Sequence, residues 1–170
     1  MARYSGTTGD DAIAGAQYEA DTFYGFGLGY DKVVGGQLND TFYFTVDEKT
    51  DYVDGGAGED RIDYSGSDRA LTIDLAHGTA SAMFGGGLTE LLHSVVVANL
   101  NSIEDVVGSK FNDRIIGSDA NNTLEGGAGA DYIDGGHGIN TASYAHSTAG
   151  VQINLNNVIQ HGGDAEGDQL

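Results

Sequence analysis

GSKFNDRII, GSDANNTLE, GGAGADYID and GGHGINTAS, residues 108–143, follow one another as four nonapeptides. The sixth residue of each is Asp113, Asn122, Asp131 and Asn140, and the eighth is Ile115, Leu124, Ile133 and Ala142. A carboxylate or amide and an apolar residue thus recur with one period and one separation. A helix of about 3.6 residues per turn cannot keep a face at that period. A coil alternating tight turn and short strand can, with glycine supplying the positive φ that such turns need.

The same phase extends outward. GTTGDDAIA (6–14) carries Asp11 sixth and Ile13 eighth, followed by Asp21/Phe23, Asp31/Val33, Asp40/Phe42, Asp51/Val53 and Asp60/Ile62. GGAGEDRID (55–63) and GGAGADYID (126–134) match G-G-x-G-x-D-x-U-x, with U a large apolar residue, at every specified place. Repeats 16–24 and 46–54 have lost their glycines, so Asp21 and Asp51 lie in glycine-poor turns. From Tyr64 to Asn101 the nonapeptide disappears. LTIDL (71–75) and HSVVVANL (93–100) read there as strands on either side of a Gly85-Gly86-Gly87 loop. NSIEDVV (101–107) restores the phase, with Glu104 sixth and Val106 eighth. At longer range DYSGSDRALTIDL (63–75) aligns with SYAHSTAGVQINL (143–155). The expected organisation is a first repeat block (1–63), an irregular insert packed on it (64–101), a second block (102–143) and the start of a second irregular unit (144–170), which breaks off at Asp168-Gln169-Leu170, so that the protein is expected to continue.

These blocks resemble the RTX (repeat-in-toxin) calcium-binding nonapeptide repeats. The resemblance implies an all-β fold: a parallel β-roll, or β-solenoid, of nonapeptides interrupted by irregular strand-loop segments. With two repeats per coil, turns two repeats apart stack at about 4.8 Å. The stacked pairs are Asp11/Asp31, Asp21/Asp40, Asp31/Asp51, Asp40/Asp60, Asp113/Asp131 and, on the opposite edge, Asn122/Asn140. Facing carboxylates repel unless a cation separates them. Several Ca2+ ions are therefore the expected cofactor, with these residues and Asp119 as candidate ligands. The family also implies turn carbonyls as ligands, here at Gly55, Gly56, Gly58, Gly126, Gly127, Gly129, Gly135, Gly136 and Gly138. Calcium accepts carbonyl and carboxylate oxygen alike; magnesium wants a tighter octahedron, and zinc wants His or Cys. Period-two alternation turns the eighth-position residues inward. One apolar residue in nine makes a thin interior, so folding and calcium binding are expected to be one event.

Composition agrees. The 170 residues carry a net charge of −19, which opposes nucleic acid and anionic membranes and favours cations. Twenty-eight glycines without proline are placed periodically, and the absence of cysteine excludes disulfides and thiol chemistry. No apolar run reaches membrane-spanning length. The chain has no H-E-x-x-H, G-x-S-x-G or P-loop, and His77, His93, His137, His146 and His161 lack metal spacing. A non-catalytic, calcium-folded segment of a larger secreted polypeptide is the expected function, and the family implies type I export. The alternatives are a carbohydrate-binding accessory module, with Tyr24, Tyr43, Tyr52 and Tyr132 as an outward row, and the C-terminal domain of an exported protease or lipase.

Overall fold

The computed structural model describes residues 1–26, 28–85, 93–155 and 159–170. Gly86 and Gly87 of the expected glycine loop lie outside the described residues. Each nonapeptide contributes one short strand. The first block supplies β1 (Arg3–Ser5), β2 (Ala12–Ala14), β3 (Thr22–Phe26), β4 (Lys32–Gly36), β5 (Thr41–Phe44), β6 (Asp51–Gly56) and β7 (Arg61–Asp63). The insert supplies β8 (Leu71–Asp74), β9 (Thr79–Phe84) and β10 (His93–Asn101). The second block supplies β11 (Asp105–Val107), β12 (Arg114–Ile116), β13 (Thr123–Glu125), β14 (Tyr132–Asp134) and β15 (Thr141–Ala142).

Because successive repeats fall on opposite sides of the coil, the strands sort into two sheets. One has seven strands in the order β1-β3-β5-β7-β11-β13-β15, all parallel. The other has eight, in the order β14-β12-β8-β9-β10-β6-β4-β2. The architecture is the parallel β-roll of nonapeptide repeats. The insert interrupts it in one sheet only. β9 pairs antiparallel with both β8 and β10, and these strands join the roll through parallel pairings β12–β8 and β10–β6. In the seven-stranded sheet the roll continues as though nothing intervened, with Asp105 in register with Arg61.

The interior is the column of eighth-position residues. Phe23, Val33, Phe42, Val53, Ile62, Val106, Ile115, Leu124 and Ile133 are all buried. Tyr4, Phe23 and Phe42 stack down one sheet with centroids 5.0 and 4.7 Å apart, the spacing set by strand pairing. Ile13, in the terminal strand β2, is only partly buried, and Ala142 in β15 is exposed, because one side of each lacks a covering coil. Phe26, Phe44, Tyr64, Leu71, Ile73, Ala80, Ala82 and Phe84 widen the core beyond one apolar residue per repeat.

Candidate metal centre

The turns stack along the two edges between the sheets. Turns leading into the eight-stranded sheet end at Asp11, Asp31, Asp51, Asp113 and Asp131; those leading into the seven-stranded sheet end at Asp21, Asp40, Asp60, Glu104, Asn122 and Asn140. The expected stacked pairs all form, through one repeated contact. In each pair the first residue donates its backbone N–H to a side-chain oxygen of its counterpart one coil on. Asp11 donates to Asp31 at 2.9 Å, Asp31 to Asp51 at 2.9 Å, and Asp113 to Asp131 at 2.7 Å. On the other edge Asp21 donates to Asp40 and Asp40 to Asp60, both at 2.7 Å, and Asn122 to Asn140 at 3.0 Å. The carboxylates are thereby fixed in a column inside the wall of the roll; Asp21, Asp31, Asp40, Asp51, Asp60, Asp113 and Asp131 are all buried.

This contact uses one oxygen, and what the second oxygen meets separates the turns. In Asp21, Asp40 and Asp113 it accepts an N–H of its own turn, from Ala16, Gly36 and Ser109. In Asp31, Asp60 and Asp131 the second oxygen is buried and has no partner. Asp60 and Asp131 belong to the two full consensus blocks. There the second glycine takes a left-handed conformation, Gly56 at φ 98° and Gly127 at φ 96°, and neither N–H is given to the acid. Gly58, Gly129, Gly136 and Gly138 also have positive φ. A buried carboxylate oxygen without a donor costs free energy that a cation can recover.

Main-chain oxygens approach the same places. A methyl group on Gly108 would lie 2.6 Å from Asp113 Oδ2 and would collide with the Gly126 carbonyl of the next coil. Gly35 is enclosed the same way by Asp40 Oδ2 and the Gly55 carbonyl, and Gly117 by Asn122 Oδ1 and the Gly135 carbonyl. Carbonyl and side-chain oxygens of neighbouring coils therefore converge where only glycine fits. Among the described residues no three His, Cys, Asp or Glu side chains gather closely enough to hold a metal on their own. A cation here needs the carbonyls, which is the donor set calcium takes and zinc does not. The residues present fit calcium.

The electrostatics point the same way. Burial, reinforced by the neighbouring carboxylates, pushes Asp51, Asp60 and Asp131 up to about 7. It raises Asp31, Asp40, Asp113, Asp168 and Glu104 as well. The column resists carrying its full charge without a counter-ion.

The remaining candidates are placed differently. Asn140 donates its amide to the His137 carbonyl at 2.9 Å, and Asn122 donates to the Glu104 carbonyl at 2.8 Å, so each amide satisfies an oxygen itself. Asp119 sits exposed at a turn tip, and Asp11, in the first turn, is partly exposed. Two column members went unassigned in the sequence. Glu104 accepts the Asp60 N–H at 3.0 Å. Asp168, fully buried, accepts the Asp131 N–H at 2.8 Å and the Tyr144 hydroxyl at 2.9 Å. The signal for Asp168 was Asp168-Gln169-Leu170, one more acid-x-apolar unit. The tyrosines form no single row. Tyr24 and Tyr43 stack on each other at 4.8 Å on one sheet; Tyr52 and Tyr132 lie on the other, under Lys32 and Arg114. Each has a ring face already in use.

A search of curated proteins returned no match. The family model of the RTX calcium-binding nonapeptide repeat matches in four copies, over residues 46–68 and 107–142. Those segments hold Asp60, Asp113 and Asp131 with the glycine turns that enclose them. The matched repeats and the β-roll they build are those of the RTX calcium-binding nonapeptide repeat family.

Proposed function

We propose that the chain is a calcium-dependent folding segment of a secreted polypeptide: unfolded where calcium is scarce, ordered on reaching extracellular calcium, and then a rigid scaffold without chemistry of its own. The observation that carries this reading is the set of buried, donorless oxygens on Asp31, Asp60 and Asp131. The roll places its acids where the folded chain is unfavourable without a cation, so ion binding and folding share one free energy. The ions lie between adjacent turns, held by sixth-position carboxylates and by carbonyls such as those of Gly55, Gly126 and Gly135. The net charge of −19 adds self-repulsion that keeps the ion-free chain extended. Extracellular calcium modules bind at about 10⁻⁴–10⁻³ M, which sets the working range. Circular dichroism over a calcium titration, with magnesium as control, tests the reading. It requires β-structure to appear with calcium and not with equal magnesium; full β-structure in chelator overturns it.

A further inference from the structure

We infer that the junction between turns 55–60 and 102–104 is a calcium clamp that fastens the insert into the roll. The inference rests on the calcium reading above. Family matches stop at residue 68 and resume at 107, so Ser102 and Glu104 lie outside every matched copy. Yet residues 102–104 stack on turn 55–60 as the next coil would, across a separation of 44 residues. The Asp60 N–H donates to Glu104 Oε2 at 3.0 Å. The N–H groups of Glu104 and Asp105 return to the Asp60 carbonyl at 3.1 and 2.9 Å.

Asp60 is 0% exposed, and its Oδ2 has no hydrogen-bond partner. The Ser102 carbonyl comes up beside that oxygen: a methyl on Gly55 would collide with both. Two oxygens thus converge where no N–H reaches Asp60 Oδ2. Ser102 adopts φ 48°, the one positive φ outside glycine among the described residues. Counted back from Glu104 it holds the fourth repeat position, which Gly58 and Gly129 fill elsewhere with φ 142° and 129°. Its carbonyl takes the place against Gly55 that the first-position carbonyls of Gly55 and Gly126 take against Gly35 and Gly108. The ligand class is a hard divalent cation that accepts carboxylate and carbonyl together, which is calcium.

The position gives the site its role. Residues 102–104 join β10 to β11, so an ion held there ties the insert's last strand to the seven-stranded sheet. β9 is held in turn by β10. Ordering of the insert becomes linked to occupation of one site at Asp60.

Calorimetric ion counting on wild type, Glu104→Gln and Asp31→Asn tests this, with hydrogen exchange followed across a calcium titration. Glu104→Gln keeps an acceptor for the Asp60 N–H while removing the charge. It should bind one ion fewer and raise the calcium midpoint for protection of Thr79–Phe84 and His93–Asn101 about tenfold, leaving Thr41–Phe44 nearly unchanged. Asp31→Asn should lose an ion without moving the insert's midpoint. A wild-type count and midpoint in Glu104→Gln overturns the clamp, whereas a wild-type protein that binds no calcium overturns the calcium reading itself. Should Glu104→Gln not fold, the wild-type exchange series decides. Protection of the insert strands in chelator overturns the clamp, and protection arriving only with calcium supports it.

Discussion

The backbone N–H of Asp113 donates to Asp131 Oδ1 at 2.7 Å across eighteen residues of chain, while Asp131 Oδ2, equally buried, meets no donor. One carboxylate oxygen builds the column and the other has no partner. Asp131→Asn keeps the first contact and removes the charge, so it separates the two roles. The calcium midpoint for folding should rise about tenfold or more, because site affinity follows ligand charge. Asp119→Asn, at an exposed turn tip, should leave it unchanged. Paired calcium titrations by circular dichroism check both, and equal midpoints for Asp131→Asn and wild type would remove Asp131 from the site.

The glycine turns make a sharper contrast. Gly127 has φ 96°, and a methyl there would run into the Ser109 carbonyl. Neither the conformation nor the space admits alanine, so Gly127→Ala should abolish folding at millimolar calcium or destabilise the loaded protein by several kcal/mol. Gly9, also in a repeat turn, has nothing within 4 Å of such a methyl and no positive φ. Gly9→Ala should be neutral within about 0.5 kcal/mol. Chemical denaturation in saturating calcium compares the two.

Much of this was legible beforehand because period and chemistry coincide. An acid six places in and an apolar residue eight places in set both the column and the core, and the structure puts Asp60 and Ile62, or Asp131 and Ile133, where that spacing requires. What escaped depends on contacts that no local period encodes. β9 (TASAMF) alternates weakly and takes its place from its antiparallel neighbours. Glu104 carries the right phase without a glycine turn, and only its stacking on Asp60 shows that it continues the column. The outward tyrosines suggest one row by position alone, yet an odd number of repeats separates Tyr43 from Tyr52 and sends them to opposite sheets.

The core prediction distinguishes packing from metal binding. Phe42 has no exposed surface, stacks on Phe23 at 4.7 Å and lies in register with Ile62. Phe42→Ala leaves a cavity in a narrow interior and should cost about 3–5 kcal/mol. It holds an eighth position and carries no donor oxygen, so the number of ions bound at saturation should stay the same. Ile139, 81% exposed, should tolerate alanine within about 0.5 kcal/mol. Denaturation in saturating calcium, together with calorimetric ion counting, measures both quantities; a lost ion in Phe42→Ala would contradict the separation.

Acidity should act in opposite directions with and without metal. Asp51, Asp60 and Asp131 titrate near 7 in the ion-free fold, against 3.8 for an ordinary aspartate. Between those values the fold binds protons that the unfolded chain does not, so the ion-free fold gains stability as pH falls. That contribution is complete below about 4 and is lost as pH rises through 7. In chelator, β-structure should therefore increase on going from pH 8 to pH 5. With calcium present the same protons compete for the carboxylates, so the calcium midpoint should rise over the same descent. Circular dichroism at fixed pH steps, with chelator and with graded calcium, reads both slopes. An ion-free chain more ordered at pH 8 than at pH 5 would mean that buried carboxylates do not limit the metal-free fold, and that the thin interior suffices without them.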